Sequence, residues 1–417
     1  MGPAVNAEAD TGTDTVRRVA VIGAGPAGCA AATLLARRGY AVTLLERKAF
    51  PRVKVCGEYI SPAGHGALAA VIDPGRLREA GMTACDTLAI ELADGTRDRC
   101  VEWRAPNPAW SISRAALDTL LRDEAARAGC VVQQPVSVRS VSYDDRGADV
   151  AFGDSFGDAS GRFDLVVHAD GLGRHDPAGP TPTIAGVVGH KCHYRPERPV
   201  RGVRMRAGDG AYVGTIQVEG GLATCALVAT REHIARAHAD PDAMMAGLWP
   251  GFEPERRASA WSSCGVARSG YIEPGHRRSI RIGNAAAAVD PVGGEGIGLA
   301  MWSAWTLASS MPDINQAGAC TADDLARAKS MLARRYRSRL RTRRPACRLG
   351  AWVLMRPAVV RAMWPMLRAR AGRAVTVHPW SMLSGKQDGT MTGRMAGKLF
   401  SAGAPGTVGT AGDRPML

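Results

Sequence analysis

Aromatic side chains are scarce in this chain: 5% of 417 residues, within a total of 46% hydrophobic residues. That is still enough apolar material for two intertwined domains and a large core. No uncharged apolar run reaches the length of a membrane span, so none is expected. The first 15 residues are polar, small and slightly acidic, lack the basic-then-apolar order of a signal peptide, and are expected to be a disordered tail. The ten cysteines contain no CxxC pair. This argues against a disulfide framework or a zinc site and for reduced thiols in a cytoplasmic setting; no metal ligands are expected. Acidic residues are absent from 325–387, which carry 14 Arg and 2 Lys. Subtracting those sixteen charges from the net +14 leaves the rest of the chain at −2, so the basic character belongs to one C-terminal segment.

What is present is concentrated first between Thr15 and Arg47. A short apolar run, Val19 to Ile22, leads into Gly23-Ala24-Gly25-Pro26-Ala27-Gly28. An alanine- and leucine-rich stretch follows to Gly39, then a second apolar run, Ala41 to Leu45, closes on Glu46. Strand, glycine turn, helix, strand and acid in this order predict a dinucleotide site. Gly23 permits the tight turn, Gly25 admits the pyrophosphate, and Gly28 lets helix and strand pack. The helix N-terminus presents free N–H groups to the phosphates. Glu46 suits a ribose hydroxyl pair and argues against a 2′-phosphate. The motif alone does not choose between FAD and NAD.

Further along, residues 66–82 read as a short helix with a turn at Asp73-Pro74-Gly75. Ala84 to Leu92 and Arg99 to Trp103 read as paired strands. Ser111 to Gly129 reads as a helix capped by Ser113. Arg114 in its first turn opposes the helix dipole, which predicts an anionic partner such as a phosphate. Phe163 to Ala169 is a buried strand ending in Asp170-Gly171. Strands at 184–190, 211–218 and 222–230 predict an antiparallel sheet, with a helix over 231–245. Ser279 to Ile282 is a further buried strand. It runs into Gly283-Asn284, then Asp290-Pro291-Val292-Gly293-Gly294-Glu295-Gly296-Ile297-Gly298 and a helix to about Ser310. A very basic helix is expected over 322–344.

Taken in order, four motifs resemble those of the flavoproteins that include the geranylgeranyl reductases and the hydroxylases of the p-hydroxybenzoate hydroxylase type. GAGPAG with Glu46 is similar to the FAD adenosine site, and Arg114 to the family arginine beside the FAD phosphates. Asp170-Gly171 and Gly283–Gly298 are similar to the second and third signatures. The resemblance covers residues 17 to about 310. It implies an α/β fold: a Rossmann-like, three-layer ββα FAD-binding domain with an inserted antiparallel-sheet substrate domain and C-terminal helices. The implied division is a tail over 1–15, FAD-binding segments 16–82, 104–175 and 276–312, substrate segments 83–103 and 176–275, a basic helical segment 313–395, and a second tail over 396–417. The implied FAD-binding residues are Gly23, Gly25, Pro26, Ala27, Gly28, Glu46, Arg47, Arg114, Asp170, Gly171, Gly283, Asn284, Pro291, Gly294, Glu295, Gly296 and Ile297. Asn284 stands where the family has an aspartate that bonds the ribityl chain, so FAD is expected to bind without that charge.

Within the family, Cys56-Gly57 in KVCGEYISP points to the geranylgeranyl reductase branch, where such a pair lies beside the flavin ring. The Tyr-x-Trp-x-Phe-Pro signature of that branch is missing. Cys56, Gly294 and Gly296 are the candidates for roles at the ring, where the start of the helix after Gly293 stabilises negative charge on a reduced flavin. Asp290 and Glu295 are expected to be structural. His65, His168, His175, His190 and His193 are expected at surface or structural positions. No second strand-anchored glycine fingerprint is visible, so a transient NAD(P)H or another donor is expected to reduce the flavin. The expected activity is an FAD-dependent oxidoreductase of a lipophilic small molecule. The leaning is to a monooxygenase of a polyketide-type phenol or quinol, with isoprenoid reduction as the alternative and a membrane-docked electron-transfer flavoprotein as a third class. Short apolar patches with Trp and Arg at 325–387 suit either the mouth for a greasy substrate or peripheral contact with an anionic membrane, placing the protein at its inner face. No recognised module supports nucleic-acid binding.

Overall fold

The computed structural model describes residues 15–370, 373, 374 and 377, apart from residues 95, 96, 156, 172 and 250 and the side chains of 94, 97, 98 and 106. Both expected tails lie outside the described residues except Thr15, which bridges to Thr321, and so do residues 378–395 of the basic segment.

The apolar runs of the sequence form a five-stranded parallel sheet. Its order is Ser279–Arg281, Leu165–His168, Arg18–Ile22, Ala41–Leu45 and Val131–Gln133. Alternate side chains of a strand face opposite ways, so continuous apolar runs bury both faces. Val19, Val21 and Leu44 enter the main core with the helices Pro26–Ala36, Arg114–Arg127 and Gly296–Ser310. Ala20, Ile22, Leu45 and Val166 face the other way, against Val150, Phe152 and Phe163 of a three-stranded antiparallel sheet. Two sheets and a helical layer make the three-layer ββα arrangement of a Rossmann-like domain.

The second body is an eight-stranded sheet. Its order is Ser262–Ala267, Thr183–Tyr194, Ala223–Thr230, Ala211–Gln217, Val203–Gly208, Thr83–Asp94, Arg97–Ser111 and Tyr59–Ile60. It is not wholly antiparallel: Val203–Gly208 runs parallel to Thr83–Asp94, two strands far apart in sequence. The expected boundary at residue 104 falls inside a strand that continues to Ser111, where Ser111 and Trp110 pair with Tyr59 and Ile60. The helix expected over 231–245 is two, Arg231–Arg236 and Pro241–Leu248, parted by left-handed backbone at His238 and Ala239. Likewise Asp73 is not at a mid-helix turn but caps a second helix, Pro74–Glu79, through Gly75 N–H.

The basic segment departs most from expectation. Its first helix runs from Ala322 to Leu354, straight through Pro345. Proline removes one helical hydrogen bond. Buried Tyr336, Leu340, Ala346, Cys347 and Ala351 on both sides of it hold the helix in place by packing. A capping box of Thr321 and Asp324 fixes its start. Pro357 then opens a shorter helix, Pro357–Arg368, whose Val360, Trp364 and Leu367 are buried. Among the described residues no helix is long and apolar enough to cross a membrane.

Candidate active site

A groove of about 360 Å³ runs past the glycine turn, with Glu46, Arg47, Arg52, Lys54 and Asp170 in its walls. Gly23 has φ +99°, and a Cβ there would strike the Asp170 backbone at 2.6 Å. A Cβ on Gly28 would sit 1.8 Å from Gly23 O. Both positions are closed to side chains by backbone packing. Gly25 is different: its nearest neighbours would be the Arg52 and Arg114 guanidinium nitrogens at 3.7 and 3.9 Å. It caps the helix Pro26–Ala36 without a side-chain acceptor, leaving the first-turn N–H groups for a ligand.

The charges around this turn suit an anion. Asp118 is fully buried and chelates Arg114 at 2.7 and 2.8 Å, so the anionic partner expected for Arg114 is partly supplied by its own helix. The same carboxylate lies 3.2 Å from Arg52. Arg52 Nη2 also donates to Ala24 O, while its buried Nε finds no acceptor. Lys54 reaches into the groove beside these two arginines. Lys54 is exposed as a residue, and it is crowding of its ammonium in the groove, through loss of hydration and then repulsion from Arg114 and Arg52, that pushes it down to about 8. Arg47, Lys48, Arg52, Lys54, Arg114 and Arg174 thus surround the groove with three carboxylates, Glu46, Asp118 and Asp170. Glu46 accepts N–H bonds from Ala24 at 2.9 Å and Lys48 at 3.0 Å, and still lines the groove. An open glycine, a free helix end, an unmatched guanidinium N–H and an excess of positive charge fit a dinucleotide diphosphate.

The ring end is formed by the turn after Asp290. Gly294 is left-handed, at φ +62°, with Tyr59 where a Cβ would go. Gly296, which begins the helix Gly296–Ser310, has nothing within 4 Å of such an atom. A flat ring can therefore approach that backbone. Pro291, Val292 and Gly294 also wall a second, strongly apolar cavity of about 250 Å³, together with Gly57, Tyr212 and Val353. Its few polar groups include Tyr212, whose hydroxyl donates to Asp290 Oδ1 at 3.2 Å. Asp290 in turn caps Val292 N–H, and burial raises its carboxyl above the usual range. Burial and this neighbouring carboxylate raise the Tyr212 phenol as well.

Between groove and cavity lies Glu58, a fully buried carboxylate. It accepts bonds from Arg114 N–H at 2.6 Å, His193 Nε2 at 2.8 Å, Lys191 Nζ and Thr224 Oγ1. Burial alone would raise its pKa. The His193 bond, the Lys191 charge and the Arg114 N–H outweigh that and hold it at about 2. Its backbone is left-handed, at φ +56°, unusual for a residue with a side chain. The Glu58 N–H donates to Cys56 Sγ at 3.3 Å, so the same residue sets the thiol beside Arg114.

Residues 17–173 match the family model of an FAD binding domain. The menaquinone reductase of Mycolicibacterium smegmatis is 30% identical over 312 residues, spanning 67% of this chain and 72% of the reductase. The chain belongs to the FAD-dependent oxidoreductases. A flavin-dependent halogenase of Armillaria mellea is 33% identical over 128 residues, but the match spans only 25% of that protein. The chain thus covers about a quarter of the length of the fungal halogenases it matches. The solved structure of the flavin-dependent brominase Bmp2 superposes with a TM-score of 0.65 at 17% identity, over 88% of this chain and 93% of that one, and shows the same fold.

In this oxidoreductase the groove and the ring turn hold the FAD candidates in two groups. Gly23, Gly25, Glu46, Arg47 and Asp170 line the groove; Pro26, Ala27 and Gly28 form the helix start behind it. Asp170 closes its own loop by accepting Gly173 N–H at 2.7 Å, and Gly171 has φ +82°. Gly283, at φ +56°, packs 2.8 Å from Ala27 by its missing Cβ, and its N–H donates to Ser303. Asn284 is exposed, and its carbonyl accepts from Thr181. Ile297 is buried in the core. Glu295 is turned away from the ring turn's open side: it is buried 3.6 Å from Arg343 of the basic helix. Sequence reasoning missed Glu58 and Tyr212 as members of the site and left His193 among structural residues. The clue for Glu58 was its place in the Cys-Gly-Glu run. A carboxylate in a stretch too irregular for a helix or strand needs partners, and Lys191, His193 and Thr224 on two adjacent strands supply them.

Proposed function

We propose that this FAD-dependent oxidoreductase hydroxylates a lipophilic phenol or quinol. FAD, when bound, would supply the two-electron and oxygen chemistry at the ring end of the groove. The chain's own residues do the rest. The apolar cavity takes the hydrocarbon body and excludes water. Tyr212, backed by Asp290, hydrogen-bonds the oxygen of the ring head and holds it beside the Gly294–Gly296 turn. The Asp290 carboxyl, raised by burial, is suited to exchange a proton with that oxygen through Tyr212. In the overall balance one atom of O₂ enters the substrate and the other leaves as water, with two electrons from a transient NAD(P)H. The observation that carries the reading is Tyr212, bonded to Asp290 behind it, in a mostly apolar wall beside the ring turn.

A second reading is reduction, of isoprenoid double bonds, rather than oxygenation; a reductase is supported by the likeness to the menaquinone reductase, which extends beyond the FAD-binding segment. Mass analysis of products from lipophilic phenols, quinols and polyprenyl compounds decides between them. A gain of one oxygen, dependent on O₂, supports hydroxylation; a gain of two hydrogens under anaerobic conditions supports reduction. For hydroxylation, Tyr212→Phe is expected to lower kcat/KM about tenfold while FAD content is unchanged. Unchanged kcat/KM would remove Tyr212 from the site.

A further inference from the structure

We propose that the exposed face around Leu349 and Trp352 docks on an anionic lipid bilayer, and that the apolar cavity opens into that bilayer. The proposal builds on the reading of the substrate as lipophilic. Leu349 is 57% exposed and is also a wall residue of the cavity, so the cavity's lining continues to the outer surface there. Trp352, one turn on, is 47% exposed, and Met366 on the following helix is 45% exposed. The remaining large hydrophobic side chains exposed among the described residues, Val53 and Val131, lie in the FAD-binding segments.

The surroundings are basic. Arg344, Arg348, Arg361 and Arg368 are exposed on the same two helices, and Arg356 is exposed in the turn between them. Arg348, one turn before Trp352, shares its helix face, and Arg356, in the turn beyond the helix end, reaches back to donate to Trp352 O at 3.0 Å. The Arg356 guanidinium stacks 4.6 Å above the Trp352 ring. No acidic residue occurs between 325 and 387, and of these arginines Arg348 also faces Asp290 of the ring turn. Tryptophan and arginine around a protruding leucine match the boundary between headgroups and acyl chains, where the ring is half immersed and the cation meets phosphate. The mouth of the cavity decides among partners. A protein or a second copy seated on Leu349 would seal the entrance, whereas a bilayer is at once a surface and a reservoir of apolar substrate.

The test is co-flotation of the full-length, FAD-loaded protein with vesicles of phosphatidylcholine alone or mixed with phosphatidylglycerol. Binding is expected only with the anionic lipid and is expected to fall as salt rises. The double variant Trp352→Ala, Arg356→Glu should bind about tenfold more weakly with flavin absorbance and Tm unchanged. Its turnover of detergent-dispersed substrate should match the parent, while its turnover of vesicle-held substrate should drop. Absence of flotation with anionic vesicles would overturn the proposal, as would equal binding to neutral vesicles or undiminished binding by the variant. Self-association that shields Trp352 would replace the bilayer by a second copy and overturn it too. Flotation needs no substrate. Docking that persists while every lipophilic substrate fails would refute the substrate reading alone.

Discussion

The groove and the cavity meet at the same loop yet are built in opposite ways. The groove's walls come from short stretches, 22–25, 45–54, 136–138 and 169–175, and its specificity lies in backbone N–H groups and fixed charges. The cavity's walls come from strands of the inserted sheet, the ring turn and both helices of the basic segment, and are mostly apolar, with Tyr59, Trp103 and Tyr212 among the aliphatic side chains. A phosphate demands precise donors, so the residues that bind it are few and patterned. A hydrocarbon demands only shape and dryness, which many combinations of side chains can provide. Cofactor choice is therefore written locally, and substrate choice is distributed over the chain.

The separation of the two sites can be challenged by substitution, and the largest effect is expected at the groove. Gly25→Val places methyl groups where the diphosphate belongs, without touching the backbone that closes Gly23 and Gly28. Purified variant should lose nearly all flavin absorbance while an apolar reporter dye still enters the cavity. Retained FAD would show that the groove is not the diphosphate site. Next in size is Glu58→Gln, at the junction. It leaves buried Lys191 without its counter-charge, and the expected loss is roughly 3 kcal/mol, read from denaturant unfolding. The folded-state pKa of Glu58 is held below its ordinary value of 4.5, so its stabilisation is complete above that value and is lost as pH falls towards about 2. The variant should lack this part of the acid transition. Superposable acid-unfolding curves for parent and variant would show that Glu58 is not charged in the native protein.

The smallest effect is expected at Lys54. Its ammonium is held down to about 8 by lost hydration and by Arg114 and Arg52, and diphosphate binding would restore the proton. FAD affinity should therefore weaken as pH rises through about 8. Lys54→Met should flatten that dependence and cost roughly fivefold to tenfold in affinity, measured by titrating apoprotein with FAD. A pH-independent affinity in the parent would take Lys54 out of the groove's charge balance.

What could be read from residue order alone follows the same division. GAGPAG, Glu46, Arg114 and the Gly283–Gly298 run are local patterns in which spacing determines geometry, and they point to FAD and the three-layer domain. Glu58 could not be found that way, because its partners are 56 to 166 residues distant in sequence. Nor could the continuation of the basic helix through Pro345. The intrinsic preference of proline is opposed there by tertiary packing, and Cys347 lies 2.5 Å from where Gly293 would carry a Cβ. Apolar patches that suited a membrane by composition proved divided: Val360, Trp364 and Leu367 face inwards, while Leu349, Trp352 and Met366 face out.

The parallel sheet imposes an order in time. Arg18–Ile22 is central, but its neighbour on one side is Leu165–His168, and the strand beyond that is Ser279–Arg281. A ribosome delivers the glycine fingerprint first and the strand that completes its sheet more than 250 residues later. The ring turn comes later still, and Cys347 and Arg343, which press on it, later again. A nascent chain thus carries a recognisable nucleotide motif long before it has a nucleotide site.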